Sequence, residues 1–353
     1  MGPRVVVSSD IHNVDIGGGD HDDAQSMGHL LLYADELDLV GLLPYRFDVG
    51  GREEILRAIA AYGNDFNRSD TRYKELGYPE PEELEALVPR DYEHGVEMII
   101  REARKSSEDD PLWVLVWGNM THLRDALIQA RQDGACIADN IRVISIATNI
   151  KLPGESQAPM PGTPNWNSIG RPEVYHTDAF AAMWWLEIDW AYKGMSWTLC
   201  NSVDYLADLH TSEDYAGLID EGKELMRRLR EDFGDLGQYI WDVSDRNDWS
   251  RPVEGLFRAG DTPTVLYLID PDNDIDDPTA GSWAGEYCAP FPEERPHYYT
   301  GIDGGHEWNF AIPRATWDNA EDVAIARVTS VLDRRQEWYD DWLDKLTMLY
   351  PEA

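Results

Sequence analysis

The sequence predicts an α/β fold built around a mostly parallel sheet. Short apolar runs rich in β-branched residues alternate with stretches whose apolar residues recur at helical spacing. The clearest run, Leu112–Trp117, has no charged residue and suits a strand that is buried on both faces. Because such strands alternate with helical segments, right-handed crossovers joining neighbouring parallel strands are expected.

The first half of the chain contains the most regular part of this pattern. Each predicted strand is an apolar run, and each predicted helix has apolar residues at helical spacing. Strands are expected at residues 4–10, 37–43, 112–117 and 141–147, and helices at residues 24–33, 53–62, 81–87, 92–104 and 122–131.

The second half departs from this alternation. Residues 151–170 are rich in Pro, Gly and Asn and predict a loop, while Thr264–Ile269 is compatible with either a strand or a buried helix. Residues 270–310 indicate a long loop, and such loops usually carry function or disorder. Helices are expected at residues 177–192, 213–233 and 320–350. Since no internal repeat is found, the predicted organisation is one domain, residues 1–353, with elaborated loops at about 151–175 and 270–310.

The composition is that of a folded but strongly acidic protein. Hydrophobic residues make up 42% of the 353 residues and include 14 Trp and 17 Tyr, which supports a packed core. The net charge of −37 would repel polyanions, so neither nucleic-acid binding nor attachment to an anionic membrane is predicted. The charge is compatible with a high-salt habitat or with an ordinary solvated surface. Three scattered cysteines favour neither a zinc site nor a disulfide framework.

No segment approaches the length of a membrane span, and the amino terminus lacks a basic-then-apolar leader. The expected location is therefore the cytoplasm, or the outside of the cell if a leader has been removed. The oligomeric state is open, and a homo-oligomer is compatible with the sequence.

An acidic cluster at the start of the chain is its most informative feature. The first predicted strand ends at Asp10, and Asp22 and Asp23 open the first predicted helix after a glycine-rich stretch. Ligands of open parallel sheets bind beyond the carboxyl ends of the strands. Carboxylates packed closely need a cation or shared protons, and an all-oxygen ligand set favours calcium or magnesium. Alternatively, the acids only serve the amino-terminal end of the helix.

Several segments taken together resemble a known family. They are the aspartates around Asp10 and Asp23, Leu31–Glu36 at the end of the first helix, Pro111–Gly118, Gly260–Ile269 and Gly281–Trp283. The opening resembles that of nucleoside hydrolases. The closer resemblance, over roughly residues 4–150 and 255–350, is to the nucleoside-hydrolase-like family whose members are described as cellulose-binding, formerly a domain of unknown function. This resemblance implies an α/β sandwich with a mixed, mainly parallel central sheet and a pocket at its carboxyl end.

The resemblance also implies a calcium site. Asp10 and Asp23, or Asp22, match the calcium-binding carboxylates, and Asp10 would also activate the attacking water. Thr121 matches a threonine that gives its backbone carbonyl to calcium, and Asp261 matches the aspartate that closes the site from the far end of the chain. The eleven residues between Asp10 and Asp22 form a longer connection than in nucleoside hydrolases, which leaves Asp15 and Asp20 as rival ligands.

The substrate half of the site matches less well. Asn165 and Asn167 resemble a motif that binds sugar hydroxyls, and Asp178 matches the start of the helix that follows it. Asn165 stands where that motif has a glutamate. Gly260 stands where a histidine, the leaving-group acid in some nucleoside hydrolases, precedes the late aspartate.

Other loop residues offer acid and stacking groups. His12, His21 and His306 are candidate acids for the leaving group. His306 is predicted to be catalytic together with Asp10. Trp283 and Trp308 lie in glycine-rich loops, where each could stack on a base or a sugar face or anchor its loop to the core.

These features predict a calcium-dependent hydrolase of glycosidic bonds, most simply of N-ribosyl bonds in nucleoside-type substrates. Glycosidic cleavage passes through an oxocarbenium-like transition state, which a carboxylate-rich pocket can stabilise. The alternative is a carbohydrate-binding or O-glycoside-acting protein on the same scaffold, because the missing histidine and glutamate would permit loss of turnover. The expected partner is a small sugar or nucleoside.

Overall fold

The computed structural model describes residues 2–15, 21–148, 166–188, 195, 218–245, 259–301 and 329–351 of the chain. Asp20, Asn165, His306 and Trp308 lie outside these residues.

A six-stranded sheet forms the centre of the described structure. In chain order its strands are β1 (Arg4–Ser9), β2 (Asp38–Pro44), β3 (Leu112–Val116), β4 (Ile141–Ile146), β5 (Trp184–Ile188) and β6 (Tyr298–Thr300). The spatial order is β2-β1-β3-β4-β5-β6, and every pairing between these strands is parallel. The predicted α/β fold is confirmed. All pairings between the named strands are parallel. Two isolated antiparallel bridges among the described residues, Ser282–Gly285 and Cys288–Thr300, do not join named strands to one another.

Helices cover both faces of the sheet. Their bounds are α1 (His21–Leu32), α2 (Gly51–Phe66), α3 (Tyr73–Leu76), α4 (Pro81–Glu85), α5 (Tyr92–Ala103), α6 (Thr121–Gln132), α7 (Arg171–Tyr175), α8 (Leu218–Glu231), α9 (Gly234–Asp245), α10 (Thr262–Ile269) and α11 (Arg335–Leu349). Successive strand residues point to opposite faces, so Val5 and Val7 belong to one core and Val6 to the other. The first core packs under α1, α2 and α8–α11, and the second under α5, α6 and α7.

The strand order defines where a ligand is expected. From β1 the chain crosses to β2 on one side and later returns to β3 on the other side. The crossovers therefore leave β1 in opposite directions, which opens a crevice at the carboxyl ends of β1 and β3. Asp10 follows β1, and the turn beginning at Trp117 follows β3, so both lie at this crevice.

One predicted helix is wrong. Residues 177–192 were expected to be helical, but the described part holds a short 3-10 helix, Asp178–Phe180, followed by strand β5. All five residues of β5 are buried, including Glu187, whose carboxylate accepts hydrogen bonds from Arg171. In the sequence, Glu187 looks like a residue on the polar face of an amphipathic helix. In the structure it is a buried strand residue, and Arg171, far from it in the chain, balances its charge.

Other elements refine the expectations for the second half. Thr264–Ile269 lies in helix α10, which settles the alternative between strand and helix. Strand β6 interrupts the stretch predicted as loop, and helix α9 was not predicted at all. The final predicted helix is divided: residues 329–332 are helical, a turn follows, and α11 begins at Arg335.

Among the described residues, no helix combines the length and the apolar character that crossing a bilayer requires.

Candidate functional site

Asp10 lies at the crevice between β1 and β3. It directly follows β1, and its side chain packs against Gly118 in the turn after β3. A Cβ atom placed on Gly118 would lie 2.5 Å from Asp10 Oδ1 and 2.6 Å from Cγ. Only glycine therefore allows the carboxylate to lie against the β3 turn. Asp10 is 8% exposed, so its oxygens are held at the edge of the sheet.

Asp23 brings a second carboxylate to this edge from the first turn of α1. Ser9 Oγ donates a hydrogen bond to Asp23 Oδ1 and accepts one from the backbone amide of Ile11 at 3.0 Å. Ser9 thus connects the end of β1 to the start of α1. Asp22 and Asp23 also lie where the helix dipole favours negative charge, so the helix-start role considered from the sequence is compatible with the structure.

Asp261 joins the cluster from the far end of the chain. It precedes helix α10, is 3% exposed, and its backbone amide donates to Ser26 Oγ in α1 at 3.3 Å. Burial raises the pKa of Asp23 well above its usual range, and the charges of Asp261, Asp10 and Asp22 raise it further. The structure thus places four carboxylates within electrostatic reach of one another. We call Asp10, Asp22, Asp23 and Asp261 the acidic cluster.

The chemistry of the acidic cluster fits a hard cation, although the described side chains do not form a finished cage. Its donor atoms are carboxylate oxygens, the ligands that calcium prefers. A buried hydroxyl without a hydrogen-bond partner, Thr262 Oγ1, follows Asp261 in the sequence. Within the described ranges, no three His, Cys, Asp or Glu side chains are arranged so that they could hold an ion.

Thr121 and Asn167 lie at the same edge of the sheet. Thr121 begins α6 directly after the β3 turn, where its backbone amide and hydroxyl both donate to Asn119 Oδ1, at 3.1 and 2.6 Å. Asn167 donates from Nδ2 to the carbonyl of Ile146, the last residue of β4, at 3.3 Å. These two predicted site residues therefore lie at the carboxyl ends of β3 and β4.

Asp178 and Trp283 lie elsewhere. Asp178 is exposed and comes before the amino end of β5, whereas the acidic cluster lies at carboxyl ends. Trp283 is 5% exposed; its backbone amide donates to Asp270 and its indole nitrogen to Glu337 in α11. Trp283 thus anchors its loop to the core, which was the structural alternative considered from the sequence.

The candidate acids differ in their surroundings. His21 is 2% exposed, and its Nδ1 is hydrogen-bonded to the carbonyl of Val243 in α9. His12 is half-buried, with Nδ1 at 3.2 Å from the carbonyl oxygen of Asp10. Of the candidate acids that the structure describes, His12 is thus the one whose ring contacts the backbone of Asp10.

The sequence interpretation missed a groove next to the acidic cluster. Tyr45 and Arg46, which line it, directly follow β2, so the rule that placed Asp10 at the carboxyl edge would also have placed them there. Arg124 and Asp125 also line the groove, but in the sequence they are indistinguishable from a solvated helix face.

Comparisons with known proteins agree with this architecture. A solved structure of a nucleoside hydrolase-related hypothetical protein from Saccharophagus degradans, described as associated with carbohydrate metabolism, superposes with a TM-score of 0.53. The match covers 100% of this chain and 74% of that chain at 18% identity, so it shows a shared fold. No curated protein matches the chain. The family model described as "Cellulose-binding Sde182, nucleoside hydrolase-like domain" matches residues 4–287. The chain therefore belongs to the family of cellulose-binding Sde182, nucleoside hydrolase-like domains.

Proposed function

We propose that this protein is a calcium-dependent hydrolase of glycosidic bonds, with N-ribosyl bonds as the first substrates to test. The observation that carries the proposal is the convergence of Asp10, Asp23 and Asp261 at the crevice between β1 and β3. Three chain segments far apart in sequence deliver buried carboxylates to the place where open parallel sheets bind ligands. Such a concentration of like charge destabilises the fold unless a ligand or protons offset it.

Calcium would be held by the acidic cluster together with the backbone carbonyl of Thr121. When bound, it would orient vicinal sugar hydroxyls and lower the pKa of a water molecule. Asp10 is fixed between the end of β1 and Gly118, so it can take the proton of that water as a general base. Asn167, held at the end of β4, can hydrogen-bond a sugar hydroxyl.

The leaving group also needs a proton. Gly260 supplies none; the contact of His12 Nδ1 with the backbone carbonyl oxygen of Asp10, at 3.2 Å, supports His12 in this role. If His12 Nδ1 donates to the Asp10 carbonyl, Nε2 is the atom that exchanges a proton with the leaving group. A half-buried histidine on a loop is a weaker acid catalyst than one fixed in a closed pocket. Good leaving groups are therefore expected to react faster than unactivated purines.

The second candidate function is carbohydrate binding without turnover. The description of the family as cellulose-binding favours it, as does the absence of the glutamate and histidine at positions 165 and 260. An O-glycoside-acting enzyme would share the same site.

Calcium is expected to raise the melting temperature of the metal-stripped protein. A ligand that binds only the folded state stabilises it by about 2.7 kcal/mol at a hundredfold excess over Kd. Asp23→Asn should weaken this response, because it removes one buried carboxylate charge from the acidic cluster. Asp109→Asn, a change at an exposed acid, is the matched control. Equal melting temperatures of the wild type in calcium and in chelator would contradict the calcium site.

Turnover is tested with nitrophenyl ribosides, nitrophenyl glucosides and a set of nucleosides in the presence of calcium. We expect nitrophenol release from the riboside and slow or no release of purine bases. Absence of turnover over the whole set, combined with measurable binding of sugars in calorimetry, would favour the carbohydrate-binding candidate instead.

A further inference from the structure

An open groove of about 670 Å³ lies at the carboxyl edge of the sheet, beside the acidic cluster. It is formed by the segment that follows β2, the start of α5 and the start of α6. Its lining includes Tyr45, Arg46, Tyr92, Arg124 and Asp125. The volume falls within the range of small-ligand sites, and the lining is more polar than is usual for them.

The charged side chains of the groove form two Arg–Asp pairs. Arg46 Nε and Nη2 lie 3.1 and 3.4 Å from the two carboxylate oxygens of Asp48, and Arg124 Nε lies 2.7 Å from Asp125 Oδ1. Two guanidinium groups and two carboxylates give this lining no formal net charge. Each pair presents donors and acceptors side by side, which is what adjacent hydroxyl groups of a sugar require.

Aromatic side chains complete the lining. Tyr92 stacks on the buried ring of His122, with ring centroids 4.3 Å apart, and donates its hydroxyl to Asp125 Oδ2 at 2.7 Å. Tyr45 meets Tyr92 edge to face with centroids 6.1 Å apart. Burial lowers the pKa of His122 to about 3, so this support is an uncharged ring. The two tyrosines are thus held in fixed orientations, as a surface that packs against sugar C–H groups requires.

Backbone and side-chain contacts link the groove to the acidic cluster. The backbone amide of Tyr45 donates to the carbonyl of Ser9, the residue before Asp10, at 2.7 Å. Thr121 lines the groove and closes the β3 turn whose Gly118 touches Asp10. On the other side, His12 is hydrogen-bonded to the Asp10 carbonyl and is close enough to Asp48 to interact with it electrostatically. His12 and Thr121 therefore connect Asp10 to residues that line the groove.

We propose that the groove binds the second ring of a neutral oligosaccharide whose first ring lies at the acidic cluster. The inference rests on the proposed function only for the position of the first ring. Paired charges and fixed tyrosines recognise hydroxyl groups and ring faces, and they leave no net positive charge for an anionic sugar. The net charge of −37 further disfavours anions. If the protein is the proposed hydrolase, binding of a second ring in the groove favours a substrate in which a sugar is joined to another sugar over a nucleoside.

Calorimetry of the full chain in calcium tests the inference with glucose, cellobiose, digalacturonate and inosine as probes. Two hydrogen bonds from the second ring of cellobiose to charged groups of the groove should make cellobiose bind at least about tenfold more tightly than glucose. Arg46→Gln combined with Arg124→Gln should remove most of this gain and leave glucose affinity unchanged. Both arginines are partly exposed, at 28% and 24%, so folding should be preserved, and melting curves check this. Arg90→Gln is the matched control, because Arg90 pairs with Asp91 and does not line the groove.

Each outcome bears on one proposal. A cellobiose gain that survives the double substitution, or no gain over glucose, overturns the groove assignment even if ribosides are hydrolysed. Tighter binding of digalacturonate than of cellobiose overturns the neutral-sugar assignment. An effect of the double substitution on inosine but not on cellobiose would make the groove a base site and overturn it as well. Cellobiose binding that depends on the two arginines, without any hydrolysis, supports the groove and contradicts the hydrolase. If the double variant does not fold, Arg46→Gln alone provides the same comparison.

Discussion

Asp10→Ala is expected to lower kcat for an activated aryl riboside by about 10²- to 10⁴-fold, the usual contribution of a positioned general base. The carboxylate of Asp10 is fixed by the end of β1 and by Gly118, so no neighbouring acid can take its place without movement of the backbone. Nitrophenol release, measured in calcium over a range of substrate concentrations up to saturation, gives kcat and KM separately.

Asp15→Ala is the matched control for this prediction. Asp15 was a rival ligand in the sequence, but its side chain is 57% exposed and lies 3.8 Å from Arg57. Its removal should leave kcat nearly unchanged. An equal loss in the two variants would place Asp15 in the site, and unchanged activity in Asp10→Ala would remove the proposed base.

The melting temperature of Asp10→Ala should not fall with kcat. Removing one carboxylate relieves repulsion at Asp23, whose pKa is raised first by burial and then by its acidic neighbours. Without calcium, the variant should therefore melt no lower than the wild type, whereas its response to calcium should shrink. This combination separates loss of a site residue from general damage to the fold.

The sequence predicts the structure best where an element follows from its own local composition. β1 to β4 are apolar runs bounded by turns, so their positions and the placement of Asp10 at a strand end follow from local composition. Asp261 could not be found this way, because nothing near it in the chain indicates that α10 begins against Ser26 of α1. Only the resemblance to nucleoside hydrolases indicated it.

The wrong helix at residues 177–192 and the open alternative at Trp283 both depend on pairing between residues far apart in the chain. Glu187 makes β5 look amphipathic until Arg171 is known to lie against it. Trp283 lies in a glycine-rich loop typical of an exposed stacking residue, yet its indole reaches Glu337 in the last helix. In each case a polar group is buried because a partner far along the chain satisfies it, and single-sequence patterns do not report such partners.

Among the substitutions proposed, Arg171→Met is expected to lower the free energy of unfolding most. The guanidinium is 1% exposed and binds the fully buried Glu187 through two hydrogen bonds of 2.7 and 2.9 Å. Burial, the largest single effect, would lower the pKa of Arg171, but the charge of Glu187, the contact with Tyr298 and the hydrogen bonds to both residues together outweigh it, and the pKa is raised. Removing one partner of a buried pair leaves an uncompensated charge and costs about 3–5 kcal/mol.

The double variant Arg171→Met/Glu187→Met gives the decisive comparison. With both charges gone, part of the lost stability should return, because no buried charge is left uncompensated. The return should be incomplete, because the hydroxyls of Thr148 and Tyr298 lose their hydrogen bonds to Glu187. Urea unfolding of the wild type, both single variants and the double variant yields the coupling free energy. Arg227→Met, at an exposed ion pair with Glu224 on α8, should leave the free energy of unfolding nearly unchanged. Additive losses in the double variant would contradict the pairing.

The same pair is expected to hold Asn167, the residue proposed to bind a sugar hydroxyl, in position. Arg171 begins α7, directly after the segment that carries Asn167, and Gly170 packs against the backbone of Met120 in the β3 turn region. Glu187 fixes this helix start to the end of β5, so the amide of Asn167 is held at the end of β4. We therefore expect Arg171→Met, assayed at a temperature where it is folded, to raise KM for ribosides more than it lowers kcat. A change confined to kcat would show that the pair acts on the acidic cluster rather than through Asn167.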